Sequence, residues 1–202
     1  MPIAINGSGT ITGVSVGGLP DGIIDAGTLA SNAVETAKIN ANAVTAVKRG
    51  EGAILQVVTH TATATVTSNS STYTTFITKD ITPTAANSKF IVVITTGIYF
   101  GETGSNSHLG CGWTMSRSYG GGNIAGLVGD PQDSTGPYGQ FILNAADGQH
   151  ATIDTRIGYD SPGTTSTLTY YAEGRPYNSS GMYVNFNSTS DGQIVIYEVA
   201  GS

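Results

Sequence analysis

Aromatic residues are missing from the start of this 202-residue chain, and the first one is Tyr73. A segment without them buries little apolar area per residue and struggles to offset its own ordering entropy. It is expected to order by pairing with copies of itself or by docking into a larger assembly, which points to an architectural part rather than a free enzyme. Charge is scarce too: 11% of residues are charged, against about 25% in typical soluble proteins. The eight basic residues are scattered and the net charge is −6. A surface that neutralises phosphates needs clustered Lys and Arg, so no nucleic-acid partner is expected. No apolar run approaches the roughly 20 residues of a membrane span, so no membrane insertion is expected. The opening Met1-Pro-Ile-Ala-Ile-Asn-Gly has no basic and no apolar signal region, so no signal peptide is expected. Cysteine is nearly absent. Cys111 alone permits no intrachain disulfide and no Cys-based metal cage. In Leu-Gly-Cys-Gly-Trp it reads as a small buried strand residue, with no basic neighbour in sequence to lower its pKa.

What is abundant is glycine, at 28 residues, together with Thr and Ser. Few charges, many hydroxyls and many glycines suit β-structure with tight turns. Residues 1–50 form one expected unit. Ile3 to Gly18 alternates apolar with small or polar residues and is broken by glycines, the pattern of short, flat strands. A near-repeat follows, Asn32-Ala-Val-Glu-Thr-Ala-Lys-Ile and Asn42-Ala-Val-Thr-Ala-Val-Lys-Arg, offset by ten residues. In a helix, ten residues leave equivalent positions about 80° apart; in a strand they return to the same face. Asn32, Asn40 and Asn42 also favour turns. Val34, Ala37, Ala41 and Val44 nevertheless follow a 3-4-3 spacing that would seed a short trimeric coiled coil. Extended strand–turn units and a short helix therefore both stay open.

Residues 51–202 read as one all-β domain. Candidate strands, punctuated by Gly, Asn, Asp and Pro, are 53–67, 73–81, 89–100, 108–119, 124–128, 139–144, 150–159, 166–173, 182–187 and 193–199. Some ten short strands predict a β-sandwich of jelly-roll type. Lys89 to Phe100 is the most continuous apolar run and reads as a central strand buried on both faces. Ser118-Tyr-Gly-Gly-Gly-Asn reads as a hairpin tip.

The stretch Ile5-Asn-Gly-Ser-Gly-Thr-Ile-Thr-Gly-Val-Ser-Val-Gly-Gly-Leu-Pro-Asp-Gly-Ile-Ile-Asp-Ala-Gly-Thr-Leu-Ala resembles the N-terminal segments of tailed-bacteriophage fibre and appendage proteins, notably those of phages of aquatic bacteria. In that group, blocks like Asn42-Ala-Val-Thr-Ala-Val-Lys recur as stem repeats. Ile54-Leu-Gln-Val-Val, Tyr73-Thr-Thr-Phe-Ile, Ile81-Thr-Pro-Thr-Ala-Ala-Asn-Ser-Lys-Phe-Ile-Val-Val and Gly192-Gln-Ile-Val-Ile-Tyr-Glu-Val-Ala are similar to strands of their C-terminal sandwich. Residues 100–190 carry no resemblance. It implies a homotrimer whose residues 1–50 form a virion-anchoring stem and whose residues 51–202 form a sandwich knob, located in the virion. Its implied partners are copies of itself, other structural proteins of tail or capsid, and a host-surface glycan. The stem has only two decads, so a capsid decoration protein or head fibre is the alternative.

On this reading Ile3, Ile5, Ile11, Val14, Val16 and Leu19 serve the virion anchor, and Val34, Ala37, Ile39, Val44 and Val47 serve trimerisation. Trp113, Tyr119, Tyr138 and Tyr177 are candidate receptor contacts, because sugar rings stack on aromatic faces; for Trp113, core packing is the competing reading. No metal or cofactor is expected: His60, His108 and His150 are far apart and form no His-x-His pair. Asp130, Asp133, Asp147, Asp154 and Asp160 could include a glycosidase pair, but most fall in turn contexts, and no enzyme activity is expected.

Overall fold

The computed structural model of the chain describes residues 4–5, 11–12, 34–35, 39–40, 43–44, 46–102, 109–119, 122–128, 140–143, 149–177 and 181–201. The chain divides into two compact units, residues 1–44 and 45–202. In the first, β1 (Ala4–Ile5) pairs antiparallel with β2 (Ile11–Thr12), Ile5 opposite Ile11. Val34, Ile39 and Val44 are exposed. Ile3, Val14, Val16, Leu19 and Ala37 lie outside the described residues. Val47, in the second unit, falls in a 3-10 turn, Ala46–Arg49.

The second unit is all-β, and its described residues contain no α-helix. Its strands are β3 (Ile54–Ala62), β4 (Val66–Ser68), β5 (Thr74–Ile81), β6 (Lys89–Glu102), β7 (Leu109–Tyr119), β8 (Gly122–Val128), β9 (Gln140–Leu143), β10 (His150–Asp160), β11 (Leu168–Pro176), β12 (Met182–Phe186) and β13 (Gly192–Val199). They form two antiparallel sheets. One runs β5-β11-β7-β8, with β9 also on β7. Gly120 and Gly121 separate β7 from β8 in sequence, and the two strands pair from Tyr119 opposite Gly122.

The other sheet is organised around β6. Along one edge, β10 pairs with it from Phe90 to Phe100. Along the other, β13 covers Lys89–Thr95 and β12 covers Ile98–Glu102, both antiparallel to β6. β12 and β13 thus act as one long strand with an excursion at residues 187–191. β4 and β3 repeat the arrangement on the far side, interrupted at residues 63–65.

Asn187 holds the two interruptions together. Its backbone adopts φ 58°, a left-handed conformation that Asn tolerates better than most residues. The side chain is buried, and its amide donates to the carbonyl of Phe76 at 2.9 Å and accepts from Thr96 Oγ1 at 3.0 Å. The excursion crosses directly over Gly97, where a Cβ would collide with the backbone of Ser190. Only glycine allows that approach.

Buried residues of both sheets share one hydrophobic cluster. Phe76 of β5 stacks on Phe186 of β12 (4.2 Å between centroids, 8° between planes) and meets Trp113 of β7 edge-on at 5.7 Å. The aromatics that the first unit lacks are concentrated here.

Two expectations need correction. β6 is central by pairing but is not buried on both faces: Phe90, Val92, Ile94 and Ile98 are buried, whereas Ile91, Val93 and Tyr99 on the opposite side are half-exposed. Trp113 is fully buried, because strand parity turns it with Cys111 and Met115 into the core, so its ring cannot meet a receptor.

Candidate functional site

β10 is inverted. An alternating strand with one face on a core normally turns its apolar residues in and its polar residues out. Here Ile153, Ile157 and Tyr159 point outward and are 59%, 51% and 73% exposed. Thr152, Asp154, Arg156 and Asp160 occupy the inward side and are half-buried.

The inward charges are satisfied by the facing sheet. Arg156 Nε donates to Asp154 Oδ2 at 3.0 Å, and Trp113 Nε1 donates to the same oxygen at 2.8 Å. The Arg156 guanidinium lies 4.1 Å from the Trp113 ring centroid and also donates to the Trp113 carbonyl. Six residues on, Asp160 pairs with Arg117 at 2.5 Å and accepts from the Tyr170 hydroxyl at 2.8 Å. Burial first, and then that hydrogen bond to a carboxylate, push the Tyr170 hydroxyl's pKa upward. Burial likewise pushes the Cys111 thiol to about 12, so it is a core atom rather than a nucleophile.

Asp154 and Asp160 share one face of one strand and lie roughly 20 Å apart at about 3.3 Å per residue. That exceeds the separations glycosidase carboxylate pairs use, about 5–9.5 Å. Asp130, Asp133 and Asp147 lie outside the described residues. His60 is exposed on β3, His150 packs 5.8 Å from Phe100, and His108 is outside the described residues. Among the described residues, no group of His, Cys, Asp and Glu is placed to hold a metal ion.

Outward, the inverted residues join a larger face. Strand pairing aligns Val57, Tyr197, Ile91 and Tyr159 in one row across β3, β13, β6 and β10, and Thr59, Val195, Val93 and Ile157 in the next. A third row is polar but uncharged, Thr61, Gln193, Thr95 and Thr155, with the Thr95 and Thr155 hydroxyls hydrogen-bonded at 2.8 Å. None of the four strands contributes a charged side chain to these rows. Lys89 stands at one corner, 3.8 Å from Glu51.

At that corner a cleft of about 360 Å³ is lined by Lys89, Phe90, Ile91, Tyr159, Asp160, Ser161 and Val199. Both Asp160 oxygens are already taken, by Arg117, Tyr170 and the Ser161 amide. The cleft therefore offers an aromatic face, an ammonium and a hydroxyl, but no free carboxylate from Asp160.

Of the aromatics singled out from sequence, Tyr177 is 43% exposed beyond β11, and its amide donates to the Gly110 carbonyl at 2.9 Å. Tyr119 ends β7, where only the backbone is described, and Tyr138 lies outside the described residues. Tyr177, the one whose side chain is described, is not on the apolar face. The sequence signal for that face was present: Ala151, Ile153, Ile157 and Tyr159 share one parity and Asp154, Arg156 and Asp160 the other. Period alone, however, does not say which parity points in.

No protein-family model matches this sequence, and no curated protein is significantly similar to it.

Proposed function

We propose that this chain is a structural virion protein of a tailed phage, a short trimeric fibre or spike, with a role in assembly rather than catalysis. Its two sheets are read as a jelly-roll-like β-sandwich knob, and its first unit as a stem that anchors the knob to other virion proteins. The knob presents aromatic and hydroxyl-rich surface toward a host-surface glycan. The phage part of this reading rests on the resemblance of the N-terminal and flanking strand segments.

The observation that carries the assembly part is the exposure of Val34, Ile39 and Val44 in the first unit. Apolar side chains left in water in a segment without aromatics gain stability only when something covers them. Few charges across the chain fit the same role, since interface cores are depleted in charge. Weak contacts repeated over several knobs then add up to firm attachment.

The test is incorporation into the virion. Deleting residues 1–30 is expected to abolish incorporation while the β-rich circular dichroism signal of the second unit persists; unchanged incorporation rejects the anchor. Immunogold labelling separates tail from head, and labelling of the capsid shell overturns the tail fibre in favour of a head fibre or decoration protein.

A further inference from the structure

The outer face of β3, β13, β6 and β10 is the surface by which copies of this chain meet, we infer, each copy's face packing on the same face of its neighbours. This rests on the assembly reading above and names the surface of the second unit that takes part in it. Three observations converge on it.

The first is the inversion of β10. Turning Asp154, Arg156 and Asp160 inward requires Trp113, Arg117 and Tyr170 to satisfy them. Ile153, Ile157 and Tyr159 are meanwhile left outside. In a lone molecule this arrangement loses burial on both sides of the strand. It becomes favourable once the outward residues are covered, because covering them removes apolar area from water.

The second is charge. A partner on this face must itself be uncharged there, or it would bury an unpaired ion at a cost of several kcal/mol. The same face of a second copy meets that condition. The outer face of the other sheet does not, since it carries Asp80, Glu173 and Arg175.

The third is size. Four strands at about 4.8 Å spacing and some seven residues at about 3.3 Å rise span roughly 20 by 25 Å. That is on the order of 500 Å² in projection, and side-chain relief carries it toward the ~800 Å² that a stable interface takes from each partner. The inward charges of β10 also disfavour strand addition at the sheet edge, so the contact runs face to face.

The test uses the full chain in sedimentation velocity and light scattering. Wild type is expected at a multiple of its 20.6 kDa mass, and Ile153→Asp/Ile157→Asp at 20.6 kDa itself. Thr78→Asp, on the outer face of the other sheet, should keep the wild-type mass. Ile157→Cys guards against misfolding: in the assembled protein its new thiol should react with a maleimide at least tenfold more slowly than that of Thr78→Cys, while buried Cys111 stays silent in both. A monomeric wild type overturns both this inference and the assembly reading. An assembled wild type whose mass survives the Ile153/Ile157 change overturns the inference and leaves the assembly reading standing. Equal maleimide rates for the Ile157→Cys and Thr78→Cys variants do the same.

Discussion

On the outer face of the β5-β11-β7 sheet, Asp80, Glu173 and Arg175 stand among threonines, serines and Tyr171; Thr169 Oγ1 donates to Asp80 at 2.6 Å and Arg175 to the Ser71 carbonyl at 2.9 Å. On the outer face of β3-β13-β6-β10 the same positions hold Val57, Val195, Ile91, Ile157 and Tyr159. Both faces are twisted antiparallel sheet over one shared core, so backbone geometry does not distinguish them. Side-chain chemistry does. The first face carries charge, whereas these rows of the second are apolar or uncharged, and that asymmetry gives the domain a front and a back.

The core beneath both faces should respond to the largest change. Phe186→Ala or Trp113→Ala is expected to cost about 3–5 kcal/mol, read as a lower guanidinium midpoint at unchanged slope. Because the Phe76–Phe186 stack joins the two sheets, they should melt together; separate transitions by intrinsic fluorescence and circular dichroism would show that the faces belong to independent layers.

The inversion of β10 is tested next. Arg156→Ala leaves the inward Asp154 carboxylate without its cation and should destabilise by about 3 kcal/mol. Replacing both partners, Asp154→Leu with Arg156→Leu, should recover most of that loss, since well-packed apolar pairs commonly match buried ion pairs. No recovery would mean that the pair positions Trp113 in a way that packing cannot replace.

A smaller effect is expected at Glu198, which is fully buried against the β5–β6 connection. Burial alone would raise its pKa, but hydrogen bonds from Ser88 (2.5 Å), Gln56 (2.6 Å) and both the hydroxyl and amide of Thr84 outweigh it and hold the carboxyl below its ordinary value. A depressed folded pKa adds stability above the unfolded value, and that stability is lost as pH falls through the folded one. Wild type should therefore lose stability below about pH 4.5. Glu198→Gln, costing about 1–3 kcal/mol at neutral pH, should show a shallower acid decline; an unchanged acid limb would assign the decline to other carboxylates.

The smallest effect belongs to the polar face. Thr78→Lys should change stability by no more than about 0.5 kcal/mol and leave the assembled mass unaltered. A loss of assembly there would reverse front and back.

Much of the second unit was legible in the sequence. Expected and observed strands agree within a few residues from Thr74 to Val199, because alternation and turn residues are local signals. The expected strand at 53–67 is broken at 63–65, and that break was not legible. It exists because the strand lies beside the 187–191 excursion, where Asn187 donates to the Ala64 carbonyl at 3.4 Å. The local sequence Asn187-Ser-Thr held no hint of this use of its amide. Lys89 to Phe100 looked apolar on both sides, yet only one side is buried, and its half-exposed residues continue the apolar face.

The sequence by itself determined where this chain forms strands and that its aromatic core lies beyond Tyr73, since period, punctuation and composition are read residue by residue. Only the tertiary structure decided which way each strand faces. The parity of β10 is fixed by Trp113 and Arg117, about 40 residues away, whose polar atoms draw Asp154 and Asp160 inward. Strand period is indifferent to a half-turn about the strand axis; the partners across the sheet are not.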